Sequence, residues 1–68
     1  MKTFFVVQSK NTLQKGGWKT VAKFVTIGGY LVELVFDKAI NFCNKYSEEN
    51  PNLKVRIVKR EEEIVYGN

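Results

Sequence analysis

The chain has 68 residues, 44% hydrophobic and 13% aromatic, with no histidine, one cysteine and a net charge of +4. These values favour one folded domain over residues 1–68, and they exclude internal disulfides, metal sites built on imidazole and nucleophiles activated by histidine. No stretch of the sequence is apolar for long enough to form a membrane helix. We therefore expect a cytoplasmic protein that is not an enzyme and that holds neither cofactor nor metal.

Two strands are predicted in the first half of the chain. Thr3–Gln8 is rich in phenylalanine and valine, and Trp18–Ile27 alternates between two sets of side chains. The polar segment 9–17 between them predicts a hairpin with a long loop. In the second strand one face is expected to hold Trp18, Thr20, Ala22 and Phe24, and the other face Lys19, Val21, Lys23 and Val25.

An amphipathic helix is predicted over Asp37–Asn50. Asp37 is a suitable N-cap, and Pro51 biases the residue before it away from helical geometry, so the helix should end there. Apolar residues recur at steps of three and four along one face of this helix, as expected for a helix that packs on a sheet. They are Ala39, Ile40, Phe42, Cys43 and Tyr46.

The segment Tyr30–Phe36 allows two interpretations. Gly28-Gly29 is a turn signal, and the valines and Phe36 prefer strands, so we favour a third strand with Val32, Leu34 and Phe36 on one face. The alternative extends the helix back to about residue 30, because the polar side chains from residue 33 to residue 48 also align along one helical face.

The last part of the chain predicts a second hairpin. Leu53–Lys59 alternates, with Val55 and Ile57 facing inward, and a turn at Arg60-Glu61 leads to a short strand over Glu62–Tyr66. The expected fold is α+β, an antiparallel sheet of four to five strands with one helix packed on one face. The element order is β-β-β-α-β-β, or β-β-α-β-β if the helix is the longer one.

Basic side chains form the one candidate binding site. The first 32 residues hold five lysines and no acid. Lys19 and Lys23 should share the open sheet face with Lys54 and Arg56, where they could bind phosphates or merely keep that face hydrated. This face is expected to lack an aromatic platform unless Phe4 or Tyr66 supplies one.

Two single residues have competing interpretations. Trp18 is expected to be a core residue at the rim of the sheet, although a rim tryptophan is also a frequent anchor in protein interfaces. Cys43 falls on the apolar helix stripe and is expected to be a core thiol, not a nucleophile. The carboxylates lack the spacing of a metal site or an acid–base pair.

Apolar positions along most of the chain describe a tryptophan-bearing strand, a helix and a last hairpin rich in valine and isoleucine: Gly17-Trp18, Val21, Phe24, Ala39, Phe42, Tyr46, Val55-Arg56-Ile57-Val58 and Ile64-Val65-Tyr66. This pattern resembles short accessory proteins of tailed bacteriophages. The chain departs from the pattern between Phe24 and Ala39, where it is longer. The resemblance implies a small phage protein that acts by binding, often on a host factor, and it transfers no functional residue.

The leading expectation is therefore a non-enzymatic binding protein that modulates or inhibits a host protein in the host cytoplasm. The alternative is a nucleic-acid-binding module that uses Lys19, Lys23, Lys54 and Arg56, with Trp18 at the rim. A structural role in a virion is a third hypothesis. The half-apolar second face of the sheet could also bury itself in a homodimer.

Overall fold

The computed structural model describes residues 2–27, 32–59 and 63–67. These residues form one helix and four strands, which confirms the α+β class and the order β-β-α-β-β that was the alternative prediction. The elements in chain order are β1 (Lys2–Asn11), β2 (Lys19–Ile27), α1 (Val32–Glu49), β3 (Leu53–Lys59) and β4 (Glu63–Gly67).

The four strands form one antiparallel sheet in the order β2-β1-β3-β4. The two predicted hairpins, β1 with β2 and β3 with β4, are both present, and β1 joins them by pairing with β3. The helix α1 connects β2 to β3 and so carries the chain past β1. The predicted turn at Arg60-Glu61 lies outside the described residues.

The core lies between α1 and one face of the two central strands. Phe5 and Val7 of β1 and Val55 and Ile57 of β3 alternate toward the helix, and each is at most 4% exposed. Burial of one such side chain stabilises the fold by about 2 kcal/mol. The predicted helix stripe is confirmed, since its residues are buried in this core or packed against it: Ala39, Ile40, Phe42, Cys43 and Tyr46.

The helix begins at Val32, so the third strand expected over Tyr30–Phe36 is wrong for residues 32–36, and residues 28–31 lie outside the described part. Asp37 is an exposed residue inside the helix and not its N-cap. The physical reason is packing. Val32, Val35 and Phe36 extend the apolar stripe by one more turn, and the ring of Phe36 lies 5.0 Å from that of Phe5. This burial outweighs a strand preference worth about 1 kcal/mol.

The helix ends at Glu49, one residue before the predicted limit. The backbone N–H and the side-chain amide of Asn50 both donate to the carbonyl oxygen of Tyr46, at 3.0 Å each. These bonds satisfy a carbonyl in the last turn, and Pro51 follows immediately. Across residues 2–27, 32–59 and 63–67, no helix combines the length and the apolarity needed to cross a membrane.

The start of α1 can be tested with two alanine substitutions. A strand would place Leu34 and Phe36 on one face, whereas the helix exposes Leu34 (56%) and packs Phe36 against the core. We expect Phe36→Ala to lower the free energy of unfolding by about 2 kcal/mol and Leu34→Ala to change it by less than about 0.5 kcal/mol. Urea denaturation measures both. Equal losses in the two variants would contradict the helix.

Candidate functional site

An irregularity in β2 decides which side chains reach each face of the sheet. In its second half, Ala22 lies opposite Val7 of β1, as the predicted alternation requires. The next residue of β1, Gln8, lies opposite Thr20, so Val21 is an extra residue in β2. Such a β-bulge reverses the alternation for every residue that precedes it.

The bulge corrects three sequence-based assignments. Lys19 was expected on the open face, but it lies opposite the buried Ser9, on the helix side, where it lines a recess with Tyr46. Thr20 and Trp18 were expected to face the helix. Thr20 lies opposite Gln8, and Trp18 lies on the open face. Lys19 is therefore separated from the other candidate binding residues.

Arg56 and Trp18 form the best-defined contact on the open face. The guanidinium carbon of Arg56 lies 4.0 Å from the centre of the Trp18 ring, which is a cation–π contact. Nε of Arg56 also donates to Oε1 of Gln8, the residue directly opposite it on β1, at 2.8 Å. The guanidinium is thus held from both sides, and it in turn holds the indole ring in place.

A second pair of the same kind lies further along the face. Nζ of Lys23 is 4.5 Å from the centre of the Phe4 ring. Phe4 therefore supplies an aromatic ring on this face, which is one of the two sources that the sequence left open, and Trp18 adds a ring that was not expected there. Tyr66 does not contribute, because its hydroxyl donates to Oδ1 of Asn44 on the helix side, at 3.0 Å.

Two lysines face each other across the central strands. Lys10 of β1 lies directly opposite Lys54 of β3, in the same register as the Gln8–Arg56 pair. Like charges at opposed positions of neighbouring strands destabilise a sheet. Sequence reasoning missed Lys10 because the predicted strand ended at Gln8; the even spacing of Phe4, Gln8 and Lys10 would have found it had the strand been extended.

Most acidic residues in the described ranges lie on α1 and not on the central strands. The sequences of β1, β2, β3 and of the loop between β1 and β2 contain no aspartate or glutamate. Four of the seven acidic residues lie on α1, all exposed to solvent and on the far side of the sheet: Glu33, Asp37, Glu48 and Glu49. The open face is therefore positive, and we define it by Phe4, Lys10, Trp18, Lys23, Lys54 and Arg56.

A recess of about 480 Å³ lies at the Trp18 end of the open face. Its lining includes the indole of Trp18, the amide of Gln14 and the three lysines Lys10, Lys15 and Lys54. Hydrogen bonds hold the loop that forms one wall. Oγ1 and the backbone N–H of Thr12 donate to the carbonyl oxygen of Asn52 (3.1 and 3.5 Å), and the Leu13 N–H donates to Oδ1 of Asn11 (2.9 Å).

The groups that could support catalysis or metal binding are few. Cys43 is 3% exposed, and burial raises the pKa of its thiol, so the reactive thiolate is scarce at neutral pH. In the described ranges, no group of three or more cysteine, aspartate and glutamate side chains is placed to hold a metal ion.

No protein-family model, curated protein or solved structure matches this chain. The resemblance to phage accessory proteins stays a prediction.

The environment of Cys43 can be tested by alkylation. Because its thiol is buried and its pKa is raised, we expect a small thiol reagent at neutral pH to modify the native protein about a hundredfold more slowly than the urea-unfolded chain. Mass spectrometry follows the reaction. Rapid alkylation of the native protein would contradict the packing of α1 on the sheet.

The opposed lysines generate a second prediction. Lys54→Gln removes the repulsion with Lys10, so we expect the free energy of unfolding to rise by about 0.5 kcal/mol at low salt and the gain to disappear at high salt. Lys45→Gln is the matched control, since it removes the same charge beside Glu48 and Glu49 on α1 and should not stabilise. Equal gains in both variants would indicate net charge, not the Lys10–Lys54 pair, as the cause.

Proposed function

We propose that this chain is a non-enzymatic nucleic-acid-binding protein that uses the open face of its sheet. One observation carries the proposal: the bulge at Val21 places Trp18 beside Arg56 on the same surface as three lysines. Cations and aromatic rings on one sheet face are the groups that contact phosphates and bases in nucleic-acid-binding proteins.

The distribution of charge supports a polyanionic ligand. Four cations lie on the open face, and none of them has a carboxylate partner among the residues that the structure describes: Lys10, Lys23, Lys54 and Arg56. A phosphate near Lys10 and Lys54 would relieve their mutual repulsion, which raises the benefit of binding an anion there. If all four cations contact phosphates, the logarithm of the binding constant falls with the logarithm of the salt concentration with a slope of about −3.

The aromatic rings favour nucleic acid over a ligand that is only acidic. A carboxylate-rich surface would need cations alone. Trp18 and Phe4 add flat apolar surfaces, and each already has a cation positioned over it at 4.0 to 4.5 Å. Nucleic acids carry both kinds of matching group, phosphates for the cations and bases for the rings.

Modulation of a host protein is the second candidate. The observation that favours it is that a tryptophan and an arginine, both half-buried, lie in contact on the open face, because these residue types dominate the binding energy of protein interfaces. The resemblance to phage accessory proteins points the same way and implies action in the host cytoplasm. Such a partner would bury the same open face, and its affinity would depend less steeply on salt.

Self-association through the open face is not proposed. Its apolar centre offers little surface to a second copy, because Val58, which lies opposite Val6, is only 5% exposed in the monomer. Two copies that met through this face would bring four cations against four, without carboxylates from β1, β2 or β3 to neutralise them.

Charge reversal on the open face tests the proposed function. We expect Arg56→Glu to weaken binding to labelled oligonucleotides by about tenfold or more at low salt, and to flatten the salt slope by about 1, because one phosphate contact is lost. Lys23→Glu should act in the same direction. Fluorescence anisotropy at two salt concentrations measures both, and circular dichroism checks that each variant is folded.

The matched control is Lys45→Glu, which makes the same change of charge on the exposed side of α1. It should alter oligonucleotide binding by less than about threefold, because Lys45 lies on α1, outside the open face, and would contact no phosphate there. If Arg56→Glu and Lys45→Glu weaken binding equally, or if the unaltered protein binds no oligonucleotide at low salt, the proposal fails and the host-protein candidate takes its place.

A further inference from the structure

We infer that the recess beside Trp18 receives an unpaired base of single-stranded nucleic acid, with the indole as its stacking surface. This inference rests on the proposed function and makes it more specific. Binding of phosphates to the open face requires no particular secondary structure in the nucleic acid, whereas a base against Trp18 requires a strand whose bases are free.

The dimensions and lining of the recess suit one nucleotide. Its volume of about 480 Å³ lies within the range of sites that take small organic molecules. Trp18 supplies an aromatic surface, and the lysines Lys10, Lys15 and Lys54 supply positive charge for the adjoining phosphates. The side-chain amide of Gln14 can both donate to and accept from the edge of a base.

The indole is positioned before any ligand arrives. Arg56 lies over one face of the ring, and the bond from its Nε to Gln8 fixes the guanidinium. Because Trp18 is already half-buried and held, little side-chain freedom is lost when a base stacks on it. Trp18 lines the recess and Arg56 does not, so we expect a base to reach the indole without displacing Arg56.

The loop between β1 and β2 makes the recess selective for single strands. In a duplex the flat faces of the bases are covered by their neighbours, and only the backbone and the groove edges are accessible. Four residues of this loop form part of the lining, and hydrogen bonds to Asn52 and Asn11 hold the loop in place. They are Thr12, Gln14, Lys15 and Gly16. A base must therefore leave its stack to contact Trp18, which an unpaired strand permits at low cost.

The fluorescence of Trp18 tests the inference directly, because it is the only tryptophan in the chain. The protein is titrated with oligothymidylate, oligouridylate and a DNA duplex, each of about 15 nucleotides, a length that covers the usual site size of small single-strand binders. We expect both single strands to quench the emission at saturation and the duplex to leave it nearly unchanged. Whichever single strand binds more tightly identifies DNA or RNA as the source of the base.

Substitutions at Trp18 then measure the contribution of stacking. We expect Trp18→Ala to weaken binding of the preferred single strand by about tenfold to a hundredfold, whereas Trp18→Phe retains most of the affinity. Leu13→Ala is the matched control. It lies in the same loop, is 77% exposed and does not line the recess, so binding should be unchanged.

The outcomes separate this inference from the proposed function. One outcome is that single strand and duplex bind with equal affinity, that neither quenches the Trp18 emission, and that Trp18→Ala changes neither affinity. If Arg56→Glu still weakens binding in that case, base stacking is wrong and phosphate binding stands. If no nucleic acid binds at low salt, both proposals are wrong. The quenching experiment uses the unaltered protein, so it decides the question even if Trp18→Ala fails to fold.

Discussion

The extra residue at Val21 in the edge strand β2 determines which side chains share each face of the sheet. On its C-terminal side, Ala22 and Phe24 pack toward the helix. On its N-terminal side the alternation of side chains between the two faces is reversed, so Trp18 reaches the open face. An edge strand tolerates a bulge because only one ladder of hydrogen bonds is interrupted. Without this residue the indole would face the helix, and Arg56 would have no aromatic partner from β2.

The open face depends on the packing of the opposite face. Val7 of β1 and Val55 of β3 are almost completely buried under α1. Their neighbours along the strands, Gln8 after Val7 and Lys54 and Arg56 on either side of Val55, therefore lie on the open face. Because side chains alternate, burial of these residues fixes where Gln8, Arg56 and Lys54 stand. The core therefore supports an arrangement, two opposed lysines, that is unfavourable by itself.

The separation of charge adds a long-range effect to these contacts. All charged residues of β1, β2 and β3 are basic, whereas α1 presents Glu33, Asp37, Glu48 and Glu49 to solvent on the other side. An approaching polyanion is attracted to the sheet and repelled by the helix, so the field orients the molecule before contact. In the proposed complex, direct contacts involve the rings and cations near Trp18, where charge and an apolar surface coincide.

Local patterns in the sequence were sufficient for the fold class, the apolar stripe of α1 and the alternation of β3, because each depends on spacing within one element. The open-face positions of Lys54 and Arg56 follow from that alternation. Tertiary structure decided the rest. The start of α1 depends on the contact of Phe36 with Phe5, and the Lys10–Lys54 pair depends on β1 lying beside β3. The sequence of β2 specified only weakly which side chains share a face, because both alternating sets mix polar and apolar residues. Only the pairing with β1 showed where the bulge reverses the alternation.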